Sequence, residues 1–379
     1  MKRFRAPKIR NLRRYIFIYF FVFLFIWVFM IHSVMVKMSS RFVQKSHITF
    51  GIVADVQYAD SENGSDFLKK RIRYYRNSLN LLENAINDWK KSSDPVAFVL
   101  QLGDLIDGKN NHGGEASSKQ ALITALHPFQ SLKSTPTYHT IGNHDLYNFQ
   151  RSFFIESPVM NPSLSLSIET SPSSQHLYYT FLPHPKLRIV SLDTYEVSLL
   201  GYKDSPDDPN FLMAQAMFRE HNHNENVNDI DGLEGLDRRW AAYNGGVSQQ
   251  QLVWLAQVLR KATTREENVI ITTHVGIRAE YRGYNVCLAW NSEEILAVLA
   301  EHPCVIAVLA GHEHSGWDYL DPQTGVQYVT MPAVIETEPG SNAYATARLF
   351  DNSLEIKGVG KVPSYSIKLR YHLGSKSNT

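Results

Sequence analysis

Asp55-Val56-Gln57, Gly103-Asp104, Gly142-Asn143-His144-Asp145, Thr273-His274 and Gly311-His312-Glu313-His314 carry the residue types of a metal centre. Carboxylates and amide carbonyls are hard oxygen ligands, and neutral imidazoles bind the same ions through nitrogen. Asp55, Gln57, Asp104, Asn143, His274, His312 and His314 supply seven such ligands, with no thiolate among them. Seven are too many for one zinc ion and suit two octahedral-leaning ions sharing a bridging carboxylate. The neutral oxygen of Gln57 tilts the preference toward Mn2+ or Mg2+ over Zn2+. Two ions about 3.5–4 Å apart stabilise both the attacking and the leaving oxygen of an in-line displacement on phosphorus. In the tetrad, Gly142 permits a tight turn and Asp145 is the expected partner that orients His144.

A single piece such as His-x-His is more often structural, so the weight rests on the ordered set. Each stretch follows an apolar run of strand length. Residues 47–53 lead to Asp55, 96–102 to Asp104, 137–141 to Asn143, 269–272 to His274 and 305–309 to His312. Ligand types at successive strand ends converge on one rim of a sheet, where α/β proteins place their sites. Leu68, Ile72, Tyr75, Leu79, Leu82 and Ile86 have helical spacing, which predicts a helix over 67–90 with a basic first half. Residues 119–132 and the stretches after Ser248 and Ser292 read as further helices, with Ser248 as N-cap and Gln251 at the capping-box position. Residues 178–181 and 187–192 read as a strand pair, 163–174 as a Ser/Pro-rich loop, and 205–237 as a polar insertion. Residues 326–331 and 345–349 read as closing strands. This alternation is that of an α/β protein.

The chain has 379 residues, 44% hydrophobic, which suffices for one large or two ordinary domains. Residues 1–46 hold 10 Lys/Arg and no acid, so the remaining 28 Lys/Arg face 37 Asp/Glu, a net charge of −9. That balance argues against nucleic acid as a partner, because phosphate binding needs an excess of Lys and Arg. Two cysteines, Cys287 and Cys304, exclude a zinc finger and a disulfide framework.

Residues 15–36 are apolar and aromatic almost throughout. At about 1.5 Å per residue they span roughly 33 Å, the length of a transmembrane helix. The expected organisation is a basic cytosolic tail (1–14), a transmembrane anchor (15–36), a linker (37–46), a catalytic domain (47–362) and a C-terminal tail (363–379). Seven bases precede the apolar stretch and three follow it, which places the N-terminus in the cytosol and the domain in the lumen or outside the cell. Asn63-Gly64-Ser65 is a sequon for that compartment, while a start at Met38 would give a soluble cytosolic form.

The ordered motifs resemble the calcineurin-like metallophosphoesterases over residues 47–360. The common pattern of that superfamily begins Asp-x-His; Gln57 departs from it and matches the manganese-dependent ADP-ribose/CDP-alcohol diphosphatase group. The stretches 52–57, 101–108, Tyr243-Asn244-Gly245-Gly246 and 285–291 are similar to that group as well. The resemblance implies a four-layer αββα sandwich and two divalent ions, Mn2+ ahead of Mg2+ or Zn2+. It implies that Asp104 bridges the ions, that Asp55, Gln57 and His314 complete one, and that Asn143, His274 and His312 complete the other. His144 would protonate the leaving oxygen, oriented by Asp145. Arg73 is the candidate for a substrate phosphate, because Arg binds phosphate bidentately. Phe67 and the 285–291 loop with Cys287 are candidates to flank a nucleobase. The implied activity is hydrolysis of the pyrophosphate bond of ADP-ribose, CDP-choline, CDP-ethanolamine or CDP-glycerol. The rivals are a phosphoesterase of other substrates and a non-catalytic membrane scaffold.

Overall fold

The computed structural model describes residue 27, residues 45–66, 69–157, the backbone of 168–170, and residues 176–278 and 286–374. The tail 1–14, the anchor 15–36 apart from residue 27, most of the linker, and Phe67 lie outside the described residues. Among the described residues, no helix is long and apolar enough to cross a membrane.

Among the described residues, two sheets build the domain. The first runs β15 (Tyr365–Lys368), β14 (Ser353–Gly360), β13 (Ala343–Leu349), β1 (Ile48–Val53), β4 (Phe98–Gln101), β5 (Thr137–His139). The second runs β11 (Trp317–Leu320), β12 (Gln327–Thr330), β10 (Val305–Ala310), β9 (Asn268–Thr272), β8 (Leu187–Ser191), β7 (Tyr179–His184), β6 (Ile168–Thr170). Strands β1, β4 and β5 are mutually parallel, as are β8, β9, β10 and β12. A short hairpin pairs β2 (Gly64–Ser65) with β3 (Ile72–Arg73). The helices are α1 (Tyr75–Lys91), α2 (Gly114–Gln130), α3 (Asn143–Asn148), α4 (Arg151–Glu156), α5 (Pro209–His221), α6 (Gln249–Thr264) and α7 (Ser292–Ala300).

Alternation along β1 explains the layering. Phe50 points inward and stacks on Phe98 at 4.7 Å, and Phe98 meets Phe181 of the second sheet edge-on at 5.4 Å. Gly51 points the other way, against the indole of Trp89 on α1. On the far side, Trp254 of α6 packs on Tyr178 at 4.7 Å. Helices therefore cover the outer faces, and the inner faces share one apolar core. Full burial of a large apolar side chain there stabilises by about 1.5–3 kcal/mol.

Several expectations give way to tertiary contacts. The first helix starts at Tyr75 rather than at residue 67, which leaves Arg73 on β3. Asp66 Oδ1 accepts from the backbone N–H of Lys70 and Arg71, and Tyr74 N–H donates to Ile335 O, so these groups are committed outside a helix. Ser248 caps α6, but Gln251 serves Asp193 and Glu196 instead of closing a capping box. Asn291, not Ser292, is the residue before α7. Ile168–Thr170 is an edge strand inside the expected loop, and the insertion carries α5. Residues beyond 362 are not simply a tail, because β15 pairs with β14 and buries Ile367.

Candidate metal centre

Five strands end at the site, three of them parallel in the first sheet and two parallel in the second. Asp55 follows β1, Asp104 follows β4, Asn143 follows β5, His274 follows β9 and His312 follows β10. All five side chains are buried, as are Gln57 and His314. Asp55, Gln57, Asp104 and His312 have φ of 51°, 44°, 56° and 70°. L-residues rarely adopt that region, and such strain gathers at functional sites at a cost of order 1–3 kcal/mol each. Gly142 is required by close approach, since a Cβ there would lie 2.0 Å from Asp104 Oδ1.

Each histidine is turned by a partner outside the cluster. His274 Nδ1 lies 2.7 Å from Leu102 O. A carbonyl only accepts, so Nδ1 carries a hydrogen and Nε2 is the ring atom directed at Asp104 Oδ2, at 3.3 Å. His314 Nδ1 donates to Glu336 Oε1 at 2.7 Å, which points Nε2 toward Asp55 Oδ1 at 3.5 Å. His312 Nε2 lies 2.9 Å from Asn244 Oδ1, which leaves Nδ1 as the lone-pair atom. Ligand atoms of Asp104, His274 and His312 lie within 4.8 Å of one another. Asn143 Oδ1 is 3.2 Å from the Tyr195 hydroxyl.

Burial pulls His274 down, but the charges of Asp104 and Asp55 outweigh it and hold the ring up to about 9. Burial likewise opposes the charge on His314, and the hydrogen bonds its ring donates to Asp55 and Glu336 raise it to about 9. Burial and the neighbouring His274 push His312 well down. Burial also opposes ionisation of Asp104, yet His274 and His144 hold its carboxyl far below the usual range. Bases this strongly favoured by carboxylates also favour a cation in place of the proton.

The Gly142–Asp145 tetrad divides its work differently from expectation. Asp145 does not touch the His144 ring. Its carboxylate accepts from the N–H groups of Gly142, Asp104 and Leu105 at 3.0, 2.9 and 3.1 Å, which fixes the turn beneath the site. The partner of His144 is Asp107, with Oδ2 3.1 Å from Nδ1. The same Nδ1 is 3.0 Å from Gly108 N–H. One nitrogen serves one of these at a time: neutral, it accepts from Gly108; protonated, it donates to Asp107. Arg73 is mostly buried and faces Asp107 and Glu336 at 3.8 and 3.7 Å. Cys287 is half-buried, with Sγ 4.0 Å from His312 O.

The chain matches the calcineurin-like phosphoesterase family over residues 48–316. It belongs to that family. A Mus musculus relative named manganese-dependent ADP-ribose/CDP-alcohol diphosphatase is 41% identical over 319 residues, 83% of this chain and 91% of the relative. An Arabidopsis thaliana protein of the same name is 33% identical over 83% of this chain and 95% of its own length. The crystal structure of a dimetal phosphatase from Danio rerio superposes with a TM-score of 0.79 at 36% identity, covering 86% of this chain and 100% of that one.

As a calcineurin-like phosphoesterase the chain is a metal-dependent phosphohydrolase, and its buried polar atoms fit bound cations. Gln57 Oε1 and His274 Nε2 are buried without a hydrogen-bond partner. Gln57 Nε2 lies 2.9 Å from Asp104 Oδ2 and 3.0 Å from His314 Nε2. Half a turn of the amide exchanges its oxygen into that position, where it joins a carboxylate and an imidazole around one point. Glu336, Asn244 and Asp107 were not singled out as site residues from sequence. Asn244 and Asp107 stand inside the stretches 243–246 and 101–108; Glu336 lies six residues past the end of β12 with no local pattern.

Proposed function

We propose that this phosphoesterase hydrolyses the pyrophosphate bond of ADP-ribose and CDP-alcohols with two Mn2+ ions, releasing AMP or CMP. The observation that carries the reading is the convergence of seven oxygen and imidazole donors from two sheets, two of them with orphaned buried ligand atoms. The names of relatives that cover most of the chain supply the substrate class. Asp104 faces both groups of donors and would be the ligand the two ions share. Asp55, Gln57 and His314 would hold one ion; Asn143, His274 and His312 would hold the other. When bound, such a pair lowers the pKa of an attacking water and neutralises charge on the phosphoryl oxygens.

The chain's own groups handle the leaving oxygen. As the imidazolium, with Nδ1–H held by Asp107, His144 carries a second proton on Nε2, the one that can pass to a leaving oxygen. Loss of that proton leaves a neutral ring whose Nδ1–H stays on Asp107, and solvent returns the proton to Nε2. Cys287 and Phe67 remain candidates for base contacts.

The test is product analysis with the full-length chain, ADP-ribose or CDP-choline, and Mn2+. AMP with ribose 5-phosphate, or CMP with phosphocholine, is expected. Release of inorganic phosphate from monoesters alone would replace the diphosphatase reading with a phosphatase one. No turnover of any phosphate ester, with Mn2+ bound, would favour a scaffold.

We further propose that residues 15–36 anchor the chain with its catalytic domain lumenal or extracellular, on the strength of the apolar length and the flanking bases. Asn63 is exposed and accessible to a glycosyltransferase. Protease added to sealed microsomes is expected to spare the domain until detergent is present. Digestion without detergent would reverse the orientation.

A further inference from the structure

The two histidines with opposite tasks share one neighbour. Glu336 holds Nδ1 of His314 at 2.7 Å, and Asp107 lies 3.1 Å from Nδ1 of His144. Between these two buried carboxylates stands the Arg73 guanidinium, with Nη1 3.8 Å from Asp107 Oδ2 and Nε 3.7 Å from Glu336 Oε1. Arg73 Nε and Asp107 Oδ2 are both buried without a hydrogen-bond partner. Two carboxylates this enclosed need a compensating charge, and losing it leaves them uncompensated in a poor solvent for ions. Arg71 adds charge only on the Glu336 side, through Nη1 at 3.1 Å, and is more exposed.

We propose that Arg73 is a positioning residue that sets both histidines at once, by holding Asp107 against His144 and Glu336 against His314. It rests on the reading of His144 as the leaving-group acid and His314 as a metal ligand. The β2–β3 hairpin supplies the means. Hairpin pairing at Gly64 and the start of α1 two residues later fix the backbone from which Arg73 reaches inward. A fork of fixed nitrogens can face two carboxylates; a lysine ammonium is a single point charge and cannot span them equally.

Arg73→Gln and Arg73→Lys in the full-length chain test this by kinetics with ADP-ribose and by Mn2+ titration of metal-stripped protein. Arg73→Gln is expected to lower kcat by about 10–100-fold and weaken Mn2+ binding by about tenfold, with KM changed less than about threefold. Arg73→Lys is expected to fall between it and the wild type, and it carries the test should the glutamine variant fail to fold. Glu336→Gln is expected to weaken Mn2+ binding by itself, and adding Arg73→Gln should weaken it no further. A raised KM with kcat and Mn2+ affinity unchanged would overturn the proposal in favour of a phosphate contact. Additive losses of Mn2+ affinity would overturn it too, because Arg73 would then act independently of Glu336. A wild type without diphosphatase activity would sink the functional reading instead, while the Mn2+ titrations still decide whether Arg73 works through Glu336.

Discussion

The two sheets contribute unlike halves of the centre. The first brings Asp55, Gln57, Asp104 and Asn143, all oxygen donors; the second brings His274, His312 and His314. The oxygen half is positioned mainly by backbone. Three of its four residues sit at positive φ, and the turn beneath them is pinned by Asp145 on three N–H groups. The imidazole half is positioned by partners at the far ring nitrogen, namely Leu102 O, Asn244 and Glu336. His312, at φ 70°, is held in both ways. A short oxygen ligand has few torsions and is aimed by its backbone. An imidazole must also choose its tautomer, and only a hydrogen bond does that.

Breaking the residue that faces both halves should have the largest effect. Asp104→Asn is expected to reduce turnover to background and Mn2+ stoichiometry from two ions to at most one, read by titration. Retention of both ions would deny it the bridging position. Next comes His144→Ala, which should cut turnover by roughly 10²–10⁴-fold, the range for a general acid, with metal content intact. Metal lost together with activity would make His144 a ligand.

Smaller effects sharpen the contrast between halves. Asn244→Ala frees the far nitrogen of His312 and is expected to weaken Mn2+ by about 10–100-fold, the usual cost of removing such a partner. Unchanged affinity would mean that the strained backbone alone aims His312. Gln57→His changes the donor while keeping the backbone, and should move the metal optimum from Mn2+ toward Zn2+ or Co2+ with modest change in rate. An unaltered metal profile would place Gln57 away from the ions.

The same contrast explains what could be read from sequence. The strand ends were legible because short apolar runs break abruptly into Asp, Asn and His, and the backbone-aimed half lies within two residues of those breaks. The partners of the imidazoles were not. Glu336 and Asn244 come from loops distant in sequence, and their pairing exists only after the second sheet closes. Asp107 was hidden by a nearer candidate: Asp145 adjoins His144 in sequence, yet on α3 adjacent residues point apart, and its carboxylate turns back to Gly142. The helix α1 starts later than its apolar stripe, which continues back through Ile72 and Leu68, because Asp66 and Ile335 claim the backbone there.

Anomalous diffraction from crystals grown with Mn2+ addresses the centre most directly. The expected result is two peaks about 3.5–4 Å apart on either side of Asp104, one within reach of Asp55, Gln57 and His314 and the other of Asn143, His274 and His312. A single peak, or a pair that leaves Gln57 and Asn143 without a metal contact, would contradict it.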